Sequence, residues 1–125
     1  MKWALWIAIG AVFSALGVGL GAFGAHALKS TLTERMLEVF EVGVRYQMYH
    51  ALGLIAIGLV ASRFDSPLIH AAAIALTVGV FLFSGSLYAM AFTGIRQLGM
   101  ITPVGGVAFI IGWCLLAFAL IKVQI

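Results

Sequence analysis

The stretch SPLIHAAAIALTVGVFLFSGSLYAMAFTGI, residues 66–95, runs for thirty residues without a formal charge. A helix that rises 1.5 Å per residue needs about 20 apolar residues to cross the roughly 30 Å hydrocarbon core of a bilayer. The stretch is apolar on every side and does not alternate polar and apolar residues, as a strand of a membrane β-barrel would. It therefore predicts a transmembrane α-helix.

The rest of the chain has the same character. Of its 125 residues, 64% are hydrophobic and only 9% are charged, whereas an ordinary soluble domain carries roughly 25% charged residues. This composition excludes a water-soluble enzyme, a secreted disulfide scaffold and a disordered tail, and the single cysteine, Cys114, cannot form an internal bridge. The charged residues leave three further long uncharged runs, and Pro67 and Pro103 mark the starts of the last two helices. We predict an all-α membrane protein with one domain, 1–125, and four transmembrane helices at about 3–28, 46–62, 67–93 and 103–121.

The segment 31–45 between the first two predicted helices is unlike the other connections. Six of the eleven charged residues lie between Lys29 and Arg45. The acids and Arg45 recur at intervals of three and four residues, and Thr31 with Glu34 matches a capping box. The pattern predicts an interfacial amphipathic helix between transmembrane helices 1 and 2. It favours a solvated link packed on the bundle over a surface that recruits lipid headgroups or a partner.

Small residues recur along the first and last predicted helices. Because lipid gives helices no hydrophobic reason to associate, close contact at small residues must hold them together. We predict helix packing, within one chain rather than between copies, at Gly10, Ser14, Gly17, Gly21, Gly24, Gly105 and Gly112.

Polar residues at membrane depth are costly and frequently functional. Four antiparallel crossings place both termini on one membrane surface, here called side A, and the connections 29–45 and 94–102 on the opposite surface, side B. The sequence predicts that any ligand-binding site lies near side B and is lined by residues from all four helices: His26, Tyr46, Gln47, His50, Tyr88 and Thr102. The same residues also fit a hydrogen-bonded clamp between helices, and this second interpretation is favoured.

No catalytic or cofactor site is predicted. The four acids lie in connections, so paired-carboxylate catalysis within the bundle is excluded. No metal site or cofactor is expected, although His26 and His50 leave haem or metal ligation open as a minority alternative. The chain has no basic aromatic surface for nucleic acid.

The orientation in the membrane is nearly balanced by the positive-inside rule. Side A holds three basic residues and side B holds four. Lys2 precedes a long apolar segment in the manner of a signal anchor, which favours termini in the cytoplasm. Residues 25–27 resemble a cleavage site, but the apolar stretch before them exceeds the usual 7 to 15 residues of a signal core.

Four motifs resemble a known family. GAFGAHAL at 21–28, YQMYHALGL at 46–54, FSGSLYAMAFTG at 83–94 and LGMITPVGGVAFIIGW at 98–113 are similar to those of the domain-of-unknown-function family 423. The resemblance implies a small multi-pass protein of the bacterial plasma membrane with four transmembrane helices. It implies no activity, substrate or catalytic residue.

These observations predict a non-enzymatic integral membrane protein that stabilises the envelope or assists other membrane components. The expected partners are membrane lipids, together with a second copy of the chain or another membrane protein. A small oligomeric channel or transporter is the alternative function, although the middle parts of the helices are almost wholly apolar.

Overall fold

The computed structural model describes residues 1–124, and these form four long helices. Helix α1 spans Lys2–Leu28, and helix α2 spans Glu34–Ala61. Helix α3 spans Pro67–Thr93, and helix α4 spans Thr102–Gln124 after a short 3-10 helix at Arg96–Met100. Within α1 and α3, single π-helical turns interrupt the α-helix at Leu20–Gly24 and Val80–Ser84.

Three segments of the described chain are long and apolar enough to cross a membrane. They are α1, α3, and the segment Arg96–Val123, which contains most of α4. The all-helical membrane architecture therefore agrees with the sequence prediction. Helix α2, the predicted fourth span, is 28 residues long, but it is not among these segments because its first half carries five of the eleven charged residues of the chain and further polar residues.

The segment 31–45 and the helix 46–62, which we predicted as separate elements, are one continuous helix. The structure therefore does not show a separate interfacial helix. Helix α2 begins at Glu34, where the hydroxyl of Thr33 accepts a hydrogen bond from the Met36 amide, so Thr33 caps the helix and not Thr31 as predicted. No proline and no break in the helix occurs after that point. Phe40 and Gly43 are buried in the bundle, on the face of α2 opposite the acids and Arg45.

Helices α1 and α2 pack antiparallel along a row of glycines. A β-carbon built on Gly10 would lie 2.6 Å from the Ala51 carbonyl oxygen, and one on Gly21 would lie 3.1 Å from Val44. Gly17 faces Met48, and Gly24 faces Phe40. Ser14 does not cross to the neighbouring helix but donates its hydroxyl to the carbonyl of Gly10 in α1.

Helices α3 and α4 form the second close pair. Gly112 approaches Leu76 and the Ala72 carbonyl oxygen, and Gly105 approaches the backbone of Phe83. Helix α3 also packs directly on α2, so α2 and α3 are the two central helices of the bundle. The innermost side chains come from these two helices and are fully buried: Leu54, Ile57, Ile69 and Leu76.

Replacing Gly94 with alanine is expected to lower the stability of the protein by about 1 kcal/mol. Gly94 ends α3 with φ of +74°, a left-handed conformation that a β-carbon disfavours. Gly85 is the matched control, because its φ of −59° is helical and a β-carbon there would contact nothing. Thermal unfolding in detergent checks the pair, and equal melting temperatures of the two alanine variants would contradict the role given to Gly94.

Candidate functional site

The structure divides the six residues predicted to line one site into four places. Gln47 and Tyr88 lie where α1, α2 and α3 meet. Tyr46 and His50 lie beside each other on another face of α2, where Tyr46 packs on Phe83 of α3 and His50 bonds Trp113 of α4. Thr102 bonds Ser86 at the start of α4, and His26 is exposed near the end of α1. The described side chains therefore do not form the single cluster that the sequence predicted.

Gln47 connects three helices. Its side chain is on α2 and only 4% exposed. The Nε2 amide donates to the Phe13 carbonyl oxygen of α1 over 2.8 Å, and Oε1 accepts from the Tyr88 hydroxyl of α3 over 2.6 Å. Both ends of the amide are thus used to hold neighbouring helices.

His50 connects α2 to α4. The indole Nε1 of Trp113 donates to His50 Nε2 over 3.0 Å, while His50 Nδ1 lies 2.7 Å from the Tyr46 carbonyl oxygen. Because an indole N–H can only donate, Nε2 must accept, and Nδ1 carries the proton that is donated to Tyr46. Phe109 stacks on the imidazole with a centroid distance of 3.5 Å. His50 is therefore a neutral imidazole with both ring nitrogens occupied.

His50 lies deeper than the sequence predicted. Its stacking partner Phe109 is thirteen residues from Arg96 and thirteen from Lys122, the charged residues that bound the uncharged run containing α4. The position of His50 only five residues after Arg45 predicts a place close to the surface of side B. That placement was wrong, because the helix that contains Arg45 continues without a break and packs beside the middle of α4.

His26 and His50 are far apart along the bundle. Gly24 of α1 lies beside Phe40 of α2, so in the antiparallel pair His26 is level with about residue 38. His50 is twelve residues further along α2, which is about 18 Å at 1.5 Å per residue. The structure therefore does not bring His26 and His50 into the one site that the sequence predicted. Their use as paired ligands of one metal or haem is not favoured by this separation.

Two serines that the sequence analysis did not include in the site supply further bonds between helices. Ser84 of α3 donates to the Gly43 carbonyl oxygen of α2 over 2.7 Å, and Ser86 lies 2.6 Å from the Thr102 hydroxyl of α4. Ser84 lies in the π-helical turn, where the change of helical phase is not visible in the sequence.

A second tryptophan and histidine pair, which the sequence analysis missed, lies at side A. Trp6 of α1 donates its indole N–H to His70 Nδ1 of α3 over 2.8 Å, and His70 Nε2 lies 2.6 Å from Asp65 Oδ1. The same donor argument makes His70 a neutral imidazole that donates from Nε2 to the carboxylate. Asp65 five residues before His70, at the start of a proline-capped helix, is the signal that the sequence offered.

A cavity adjoins this pair at side A. It has a volume of about 770 Å³ and is lined by residues from the start of α1 and the start of α3. Two further apolar cavities of about 420 Å³ and 260 Å³ lie between α1 and α3, and Phe13 and Phe81 border both of them. Gln47 and Tyr88 border the last of them.

A separate cavity of about 340 Å³ does lie at side B, but none of the six predicted residues lines it. It is bordered by the start of α2, the end of α3 and the 3-10 helix, with Arg35 and Arg96 as its charged residues. Among residues 1–124, no group of three histidine, cysteine, aspartate or glutamate side chains is arranged to hold a metal ion.

Comparison with known proteins identifies relatives over almost the whole chain. A family model described as "Protein of unknown function (DUF423)" matches residues 20–106. A UPF0382 membrane protein of Staphylococcus haemolyticus is 48% identical over 118 residues, covering 94% of this chain and 96% of the relative. The UPF0382 membrane protein YwdK of Bacillus subtilis is 44% identical over 119 residues, covering 94% and 97%. No solved structure matches the chain.

Proposed function

Because the chain belongs to the DUF423 family of membrane proteins of unknown function, we propose that it is a non-enzymatic protein that stabilises the cell envelope or assists other membrane components. The observation that supports this most directly is the pairing of its buried polar side chains. Gln47, His50 and Ser84 each bond to a neighbouring helix, and no buried side-chain polar atom in the described part of the chain lacks a partner. Groups used in this way stabilise a bundle and are not free to take up a substrate.

We also propose that α2 is a fourth transmembrane helix. Its polar residues Gln47 and His50 are covered by α1, α3 and α4 and do not face lipid. The exposed acids of its first half, Glu34, Glu38 and Glu41, would lie at or beyond the side B surface, and a side chain as long as that of Arg45 can extend to that surface from within the membrane. In this arrangement both termini lie on one side of the bacterial plasma membrane. The position of Lys2 before the first long apolar segment favours the cytoplasmic side.

The two alternatives have less support. A channel would need polar groups free to line a path, whereas the side chains of Gln47 and Tyr88 bond to each other and to α1. A carrier that binds haem through His26 and His50 would need His50 Nε2, which accepts the indole N–H of Trp113. Homo-oligomerisation through exposed faces of the bundle remains compatible with the envelope role.

A bacterial deletion strain tests the proposed function. We expect deletion to raise the entry of a hydrophobic dye across the plasma membrane, and expression of the chain to restore the barrier. A Cys114→Ser variant is the control, because Cys114 is exposed and unpaired by disulfide, and it should complement fully. Ion flux across the membrane of proteoliposomes that contain the purified protein would contradict the proposal and support the channel. A Soret band on addition of haem would replace it with the carrier.

A further inference from the structure

The cavity at side B contains two arginines from separate segments of the chain. Arg35 lies in the first turn of α2, and Arg96 begins the 3-10 helix that follows α3. The packing of the start of α2 beside the end of α3 brings both side chains to one cavity of about 340 Å³. This volume lies within the roughly 300–1,000 Å³ that is usual for ligand sites in proteins.

The positive charge of this cavity is not neutralised by a neighbouring acid. No acidic residue lines the cavity, and the one ion pair among the described residues joins His70 to Asp65 at side A. An arginine side chain stays protonated in proteins and offers five N–H donors in a planar fork. Two such groups beside one space repel each other, and an anion between them removes the repulsion.

The three acids of α2 lie on a different face of the helix from the cavity. At about 100° per residue, the lining residues Arg35, Met36 and Val39 cover an arc of about 100°, and the acids centre about 140° from the middle of that arc. Glu38 is the acid nearest to Arg35 around the helix axis, and it forms no ion pair with Arg35. The cavity therefore keeps its positive charge although the helix carries acids.

The cavity lies at the depth of the lipid headgroups. Val39, which lines it, precedes Phe40, whose ring centroid is 5.4 Å from that of Tyr88 and 6.0 Å from that of Phe92. Met90, another lining residue, is three residues from the end of α3 at Thr93. Because α3 is long and apolar enough to cross the membrane, its last turn marks the membrane surface on side B.

The rest of the lining is mainly apolar and distinguishes between two sources of an anion. Four of the lining residues have apolar side chains: Met36, Val39, Met90 and Met100. Met100 is 75% exposed, and flexible thioether side chains adapt to irregular apolar surfaces. A free phosphate ion would pair with the arginines and leave these side chains without dispersion contacts, whereas a phospholipid supplies both a phosphate and apolar groups next to it.

We propose that this cavity binds the phosphate of an anionic phospholipid from the side B leaflet. Arg35 and Arg96 donate to the phosphodiester oxygens, a pairing for which the guanidinium fork is suited. The methionines and Val39 contact the glycerol and the first carbons of the acyl chains. The headgroup carries net negative charge, because the ammonium of a zwitterionic headgroup would lie beside two guanidinium groups and no carboxylate.

Basic residues that hold anionic headgroups at the membrane surface are a general feature of membrane proteins. The sequence favoured a solvated link at 31–45 over a surface that recruits lipid headgroups, because the acids of this segment weaken its positive charge. Arg96 comes from the other connection on side B, and its place beside Arg35 reverses that preference. The proposal goes beyond the envelope role and depends only on α3 crossing the membrane with its end at side B.

The test measures the melting temperature of the full chain in an uncharged detergent with one of three additions. These are phosphatidylglycerol, phosphatidylethanolamine with the same acyl chains, and inorganic phosphate. We expect phosphatidylglycerol to raise the melting temperature by at least about 4 °C more than either of the others, and native mass spectrometry to show one retained phosphatidylglycerol per chain. Equal shifts with the two lipids would overturn the anionic headgroup. A shift with inorganic phosphate as large as that with phosphatidylglycerol would overturn the lipid as the source of the phosphate.

Three matched variants test the position of the lipid. Arg35 and Arg96 are exposed, so Arg35→Gln and Arg96→Gln should fold and melt like the unmodified chain when no lipid is added. We expect each to reduce the shift with phosphatidylglycerol, and the double variant to abolish it. Arg45→Gln is the control, because Arg45 is exposed on the same helix but does not line the cavity. It removes the same charge and should keep the shift and the bound lipid.

Two results with these variants would contradict the site. If the double variant kept the shift, the two arginines would not hold the lipid. If Arg45→Gln lost as much of the shift as Arg96→Gln, the general positive charge of side B, and not the cavity, would attract the lipid.

None of these measurements reports on envelope integrity. A failed complementation test would therefore leave the lipid site standing, and a missing lipid shift would leave the envelope role standing.

Discussion

Replacing Gly105 with alanine is expected to destabilise the bundle by about 1–3 kcal/mol, the usual cost of an extra group in a well-packed core. A β-carbon on Gly105 would lie 2.8 Å from the Cα of Phe83 and would also meet the Phe83 amide nitrogen. Both atoms belong to the backbone of α3, which cannot rotate away as a side chain can. The alanine methyl group must therefore push α3 and α4 apart. Chemical unfolding in detergent micelles measures the loss.

Gly106 is the matched control for this prediction. It is the next residue of the same helix, and a β-carbon there would lie 4.0 Å from the ring of Phe83, which is ordinary van der Waals distance. Gly106→Ala should therefore leave the stability unchanged or raise it by up to about 1 kcal/mol, because alanine favours a helix more than glycine does. Equal destabilisation by the two alanines would contradict the role given to the α3 contact, because helix propensity alone would stabilise both variants.

Replacing Gln47 with leucine is expected to cost about 1–3 kcal/mol. The change removes the bond to the Phe13 carbonyl oxygen and leaves the Tyr88 hydroxyl without its acceptor. Hydrogen bonds between helices in membrane proteins contribute from about 0.6 to about 2 kcal/mol each, and two are lost. Unfolding in detergent again gives the free energy, and the Tyr49→Phe variant is the control because Tyr49 is 55% exposed on the same helix.

A double-mutant cycle isolates the bond between Gln47 and Tyr88. We expect Tyr88→Phe to destabilise the protein less than Gln47→Leu, since Gln47 keeps its bond to Phe13. The double variant should lose less than the sum of the two single losses, with a coupling energy of about 0.6–1.7 kcal/mol. Strict additivity would mean that the 2.6 Å contact contributes nothing to stability.

The sequence predicted which site residues share a helix face, but not their depth or their partners on other helices. Helical periodicity put Tyr46 and His50 on one face, and the two rings do stack on each other, with Tyr46 against Phe83 of α3 and His50 against Trp113 of α4. The depth and partners of His50 could not be read from the chain, because Trp113 and Phe109 are more than fifty residues away in sequence. Asp65 and His70 were visible as residues but not as a site, since their arrangement depends on Trp6 of α1.

The sequence by itself determined that this is an all-helical membrane protein, because thirty uncharged residues can satisfy their backbone in lipid only as a helix. It also determined the start of α3, where Ser66 caps the helix and Pro67 occupies the first helical position. Tertiary structure alone decided that residues 34–61 form one helix, that His26 and His50 lie apart, and that a cavity of about 770 Å³ lies at side A. The physical reason is that composition and periodicity describe one segment of the chain at a time. The depth of a residue, the register between helices and the cavities depend instead on which helix backbones approach closely. Glycines such as Gly10 and Gly105, which contact another helix, set that approach.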